Sequence, residues 1–241
     1  MRLVEKNYKL LIFIVFALLL HINIFGEVTM QEEFKIAFIA DAHFHDVYAE
    51  FKDDSFEGLK NSITGKNSKI RTMEAQLTSA RLFNENYYAL NATLEDLAGK
   101  DIKYVGLVGD FSDDGQIIHL RGLKKILDSY TKKYGIQFFA IPGNHDPVKP
   151  VDNPNGKSDF LGKGGQEQRI FSKGAKECIN YSGKKAVINT GKGLPTICTE
   201  EILELGYTGI INEMGKYGFY PQKDYLYWAT PYSTYNYEMY N

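Results

Sequence analysis

The chain has 241 residues, of which 44% are hydrophobic and 24% charged. That composition supports a buried core and excludes collagen-like, mucin-like and acidic-tail classes. A formal net charge of −2 leaves no basic footprint, so binding to nucleic-acid duplexes is not expected.

At the N-terminus Arg2, Lys6 and Lys9 precede an apolar run from Leu10 to Leu20, extended by Ile22, Ile24 and Phe25 and followed by Gly26. This basic, apolar, small order is that of a secretory signal, and the run is short and interrupted compared with the ~20 apolar residues of a clean span. Residues 1–26 are therefore expected to be a signal peptide. The protein would be exported to a periplasmic or extracellular space, with membrane contact only through that segment if it stays uncleaved. Cys178 and Cys198 are the only cysteines; they could pair in an oxidising compartment or stay as buried thiols.

Phe34–Ala40, Ile102–Val108 and Ile136–Ile141 read as buried strands. Between the first two, Arg71–Leu97 has helical spacing, with Met73, Leu77, Leu82, Tyr87, Leu90, Leu94 and Leu97 on one side. Ile117–Tyr134 repeats it with Leu120, Leu123, Ile126, Leu127 and Tyr130. This alternation predicts an α/β fold with a largely parallel sheet covered by helices, whose ligands bind beyond the carboxyl ends of the strands. From Pro147 to about Gly174, Gly, Lys, Pro and Asn predict a long surface excursion. A short helix is expected over Thr199–Leu205. Nine of the 17 tyrosines fall between Tyr207 and Tyr240, so residues 147–241 read as a long loop and an aromatic-rich lid or substrate-facing segment. Alternatively, those aromatics pack against elements outside this chain.

Each apolar strand ends in residue types that bind metals: Asp41-Ala42-His43, then Gly109-Asp110-Phe111-Ser112-Asp113-Asp114-Gly115, then Gly143-Asn144-His145-Asp146. At the carboxyl ends of parallel strands they would converge on one crevice. Two cations about 3.5–4 Å apart can clamp a phosphoryl group, and one carboxylate can bridge them, the natural role for Asp110. Asp41 and His43 can bend around a single cation, and Asn144 offers a neutral amide oxygen to the other. The glycines before Asp110 and Asn144 permit close approach and unusual dihedrals. His145 suits a general acid for the leaving oxygen, with Asp146 as the candidate that orients it unless, as a neighbour in sequence, it points away and caps the next segment.

The three clusters resemble the first sequence blocks of the calcineurin-like metallophosphoesterases, Asp-X-His, Gly-Asp-X-X-Asp and Gly-Asn-His-Asp, over Phe34 to Asp146. The resemblance implies a sandwich of two sheets flanked by helices, with residues 33–146 as the N-terminal half of the domain. It implies a two-metal centre of Fe, Zn or Mn and hydrolysis of phosphate mono- or diesters. Asp41 and His43 would go to the first metal, Asp110 to both, Asn144 to the second and His145 to the leaving group, with Asp113 supporting the site from behind. Protein serine/threonine phosphatases of this superfamily carry arginine and glutamate where this chain has Asp114 and Asp146, so the expected substrate is a small-molecule, nucleotide or lipid phosphoester.

The family completes its centre with later histidines, and none follows His145 here, so the fold and site are expected to be incomplete in this chain. Of the remaining candidates, His45 could line the cleft but is expected in a solvated loop, and Arg81 could reach a phosphate but is expected on a solvated helix face. Two other functions compete with the leading one. A phosphatase with an aspartate nucleophile is disfavoured by His43, and a secreted binding or surface-interaction protein would keep the fold without turnover.

Overall fold

The computed structural model describes residues 34–179, 186–188 and 194–222; the expected signal peptide and the last part of the tyrosine-rich stretch lie outside them. Three parallel strands form the first sheet, β1 (Ile36–Ala40), β4 (Tyr104–Val108) and β5 (Gln137–Ile141), in the order β1-β4-β5. Between β1 and β4 come the short antiparallel pair β2 (Leu59–Lys60) and β3 (Asn67–Ser68), then helices α1 (Met73–Leu77) and α2 (Phe83–Gly99). Helix α3 (Ile117–Tyr134) links β4 to β5. The expected α/β alternation is the one observed.

One face of this sheet carries the core. Val105, Leu107, Phe138 and Ala140 pack with Leu90 and Leu94 of α2 and with Leu120, Leu123 and Leu127 of α3. Helix α3 has the expected bounds because its ends are marked locally. Lys132 and Lys133 lie in the last turn, and Gly135 takes the left-handed cap (φ 71°) that returns its N–H to Thr131 O.

Two expectations about this half need correction. The strands are not buried on both faces: β1 and β5 alternate, and the register stacks Phe38, Gly106 and Phe139 across the outer face. Phe38 is 71% exposed there, and Ile36 and Ile141 are exposed too. The helix expected over Arg71–Leu97 is two helices. Thr78 Oγ1 back-bonds to Glu74 O and Ser79 Oγ takes the N–H of Arg81, local bonds that compete with the helical ladder. Met73, Leu77 and Leu82 are consequently exposed, Leu77 by 79%, instead of facing the core.

The segment read as a surface excursion is structured. Strands β6 (Gly156–Leu161), β7 (Glu167–Phe171), β8 (Ala186–Ile188) and β9 (Thr196–Cys198) form a second sheet, ordered β6-β7-β9-β8, with β7 and β9 parallel. Phe160, Ile170 and Ile197 of this sheet pack with Phe51, Phe56 and Ile118 in a second core. Cys178 and Cys198 form a disulfide, which settles the alternative left open by the sequence. The helix expected over Thr199–Leu205 is only a 3-10 turn at Glu200–Ile202, and helix α4 (Tyr207–Met214) follows it. Ile210 and Met214 of α4 complete the first core. Among the described residues no helix is long and apolar enough to cross a membrane.

Candidate metal centre

Past Ala40 and Val108 the parallel ladder continues through Asp41 N–H to Gly109 O (3.3 Å), His43 N–H to Asp110 O (2.7 Å) and Phe44 N–H to Phe111 O (3.1 Å). Along this stretch φ is positive at Asp41 (51°), His43 (40°), Gly109 (75°) and Asp110 (42°). For a residue with a Cβ this conformation costs about 1–3 kcal/mol and persists where surrounding contacts enforce it. One such contact is the Asn86 side-chain N–H donated to His43 O (3.1 Å). The strained turns bring donor atoms of Asp41, His43 and Asp110 within 4.8 Å of one another.

This set suits a cation. Nδ1 of His43 is buried without a hydrogen-bond partner, while Nε2 lies 3.8 Å from Asp110 Oδ2. Burial pushes the His43 imidazole below its ordinary pKa against the pull of Asp110, favouring the neutral ring that binds metals. One imidazole nitrogen and two carboxylates form a donor set used for catalytic transition-metal ions.

The loop after β5 closes on the same point. A Cβ on Gly143 would lie 2.2 Å from Asp110 Oδ1 and 2.4 Å from Asp110 N, so only glycine permits this approach. His145 N–H donates to Asp110 Oδ1 (2.7 Å), and Asn144 stands exposed between these two contacts. The His145 ring meets His43 edge to face, with centroids 5.3 Å apart. Its Nδ1 lies 2.7 Å from Asp114 Oδ1. An ionised carboxylate only accepts, so Nδ1 carries the proton of this bond and Nε2 is left for the cleft.

Asp146 does not have the orienting role expected of it. Its buried carboxylate accepts from Phe111 N–H (3.3 Å), Ser112 N–H (2.9 Å), Ser112 Oγ (2.7 Å) and Gly143 N–H (2.8 Å). It therefore ties the loop after β4 to the loop after β5. Burial raises its pKa to about 6 against those hydrogen bonds. Asp114, itself left-handed (φ 53°), takes over the contact with His145.

Behind the loop, Asp113 is fully buried and accepts from Arg71 Nη1 (3.2 Å) and Arg81 Nη1 (3.2 Å), with His45 Nδ1 at 3.1 Å. Burial pushes Asp113 up, but His45, Lys157 and Arg71 together hold it well below the usual carboxylate range. His45 is 0% exposed, not solvated as expected, and its Nε2 contacts Lys69 O at 2.8 Å. His119 is buried too: its Nδ1 accepts the N–H of Asp46 (3.0 Å), and burial drives its pKa well down. His45, Asp113 and His119 also bring donors within 4.8 Å. A cation fits poorly there, because Arg71 already occupies Asp113 Oδ2 and both His45 nitrogens are engaged.

The sequence misplaced one cation and missed another. Arg81 lies in the break between α1 and α2, not on a helix face, and its Nη1 binds both Asp113 Oδ1 and Asp114 Oδ1 (2.9 Å). Lys157 of β6 puts its Nζ on Asp114 Oδ2. A doubled aspartate after Gly-Asp could have hinted at a basic partner, but no local signal pointed to Lys157, 43 residues away.

The family model described as calcineurin-like phosphoesterase matches residues 34–231. A search of curated proteins found no match.

Proposed function

Because the chain belongs to the calcineurin-like phosphoesterase family, a family of metal-dependent phosphoester hydrolases, we propose that Asp41, His43, Asp110 and Asn144 hold a two-metal centre of Fe, Zn or Mn. Asp110 would bridge the cations, Asp41 and His43 would serve the first, and Asn144 would serve the second, which needs further ligands beyond these four. When bound, the cations supply Lewis-acid polarisation of the phosphoryl oxygens and a water of lowered pKa.

The protein's own groups do the rest. Asp114 holds Nδ1–H of His145, so in its doubly protonated form the ring presents Nε2–H to the leaving oxygen and delivers that proton as the ester bond breaks, ending as the neutral Nδ1–H tautomer. Asp146 keeps the two loops in register. The substrate is a small-molecule, nucleotide or lipid phosphoester, because Asp114 and Asp146 replace the arginine and glutamate of protein phosphatases. Export is part of this reading, and the disulfide between Cys178 and Cys198 suits an oxidising compartment. N-terminal sequencing of mature protein from its source should start after about Gly26, and an intact Met1 would rule export out.

The observation that carries the proposal is the left-handed backbone that gathers Asp41, His43 and Asp110. The test compares bound metal and turnover of chromogenic mono- and diesters in Asp110→Asn and His145→Gln. Asp110→Asn should lose metal and activity together. His145→Gln should keep its metal and slow by about 10²–10⁴-fold, most of all for poor leaving groups. Equal metal loss in both variants would refute this division of roles.

A further inference from the structure

Two arginines reach the Asp113–Asp114 pair, and they differ in what they have left to offer. Arg71 is 5% exposed, and Asp159 and Asp113 take its Nε, Nη2 and Nη1. Its fork is fully used inside the protein. The Arg81 side chain is 19% exposed. Its Nη1 alone binds Asp113 and Asp114, and among the described residues no hydrogen bond ties Nε or Nη2. The Phe83 ring centroid lies 4.9 Å from its Cζ, a cation–π contact that restrains the guanidinium. Nη1 shares Asp114 Oδ1 with His145 Nδ1, and the His145 ring abuts His43. A fixed guanidinium with a free edge therefore stands beside the leaving-group histidine.

Resting on the phosphoester hydrolysis argued above, we propose that Arg81 is a substrate-binding residue whose free edge takes oxygens of a terminal phosphoryl group, so that the site favours phosphate monoesters over diesters. Guanidinium pairs with phosphate through two parallel N–H···O bonds. A monoester brings three non-bridging oxygens and up to two negative charges, enough to engage the metal centre and Arg81 together. A diester brings two such oxygens and one charge, and contact with the cations uses these up. Lys157 does not compete for this role, since Asp114 and Glu204 surround its Nζ.

The test uses the whole metal-loaded chain and reads two quantities in Arg81→Gln and Arg81→Lys. Calorimetric titration with inorganic phosphate should show Kd rising about 10-fold or more in Arg81→Gln and less in Arg81→Lys, which keeps the charge but loses the fork. The ratio of kcat/KM for a monoester to that for a diester should fall by a similar factor, with diester turnover changing least. A purely structural Arg81 would lower the melting temperature but leave both quantities within twofold of wild type, and that result overturns the proposal. Should Arg81→Gln fail to fold, Arg81→Lys decides by the same two readouts. If the wild type turns over neither ester, the hydrolase reading fails, while the phosphate titration still tests Arg81.

Discussion

Gly143→Ala tests the packing of the centre with a single methyl group. The added Cβ would sit 2.2 Å from Asp110 Oδ1 and 2.4 Å from Asp110 N, against the 3.0 Å below which real Cβ contacts essentially never fall. One of the two neighbours is backbone, so the loops after β4 and β5 must part by roughly 1 Å, and overpacking of this kind costs about 1–3 kcal/mol. The movement strains the bonds that cross the same gap, His145 N–H to Asp110 Oδ1 (2.7 Å) and Gly143 N–H to Asp146 Oδ2 (2.8 Å). A displacement of ~1 Å at a reacting centre costs on the order of 10²-fold in rate, so kcat/KM should drop by about that factor and metal affinity should weaken with it. Gly135→Ala is the control. It forces a Cβ onto a left-handed residue (φ 71°) with nothing within 4 Å, costing about 1–2 kcal/mol of stability and leaving activity unchanged. The assays are metal analysis after dialysis, thermal melting and chromogenic phosphoester turnover. Gly143→Ala protein with wild-type metal content and kcat/KM within threefold would refute the argument.

Three further outcomes are expected. The disulfide links residues 20 apart in sequence, and loop closure of that length is worth ~3 kcal/mol; the double variant Cys178→Ser, Cys198→Ser should lose about that much in denaturant titration, and a loss below 1 kcal/mol would contradict it. Two groups should make stability fall as pH drops. His119 is held neutral and Asp113 ionised in the folded state, so at these two residues the unfolded chain binds more protons, first below the ordinary histidine pKa of about 6.5 and again below the aspartate value of about 3.9, while Asp146, raised to about 6, works against this loss between about 6 and 3.9. Asp113→Asn should flatten the second limb, and an unchanged acid slope would show that Asp113 is not linked to folding. Finally, the outer face of the first sheet should drive self-association of this chain. Light scattering should report less of it in Phe38→Glu, and no difference would mean that this face is covered in solution.

How far the sequence could be read depended on the range of the interaction concerned. Three strand ends bearing Asp41 and His43, Asp110 and Asn144 were legible because a strand's pattern and its terminal residues are adjacent in the chain. Helix α3 was legible for the same reason: its apolar spacing, basic last turn and Gly135 cap are all local. The break between α1 and α2 was written in Thr78 and Ser79, but hydroxyls of this kind end some helices and merely decorate others. The second sheet was missed because β6 and β7 alternate weakly among Gly, Lys and Gln, and their burial depends on Phe51, Phe56 and Ile118 far away in sequence.

Local pattern and the handedness of the chain were enough to specify which donor residues exist and that parallel strands deliver them to one edge of a sheet. Which partner each donor meets was settled by packing between distant segments. Asp114, 31 residues from His145, orients the ring that the adjacent Asp146 was expected to hold. His45 reaches Asp113 across 68 residues and is buried for that reason, and Arg81 is drawn from an apparent helix surface to the edge of the site. A buried carboxylate must find donors wherever the fold supplies them, and that supply is set by chain crossings that no local pattern records.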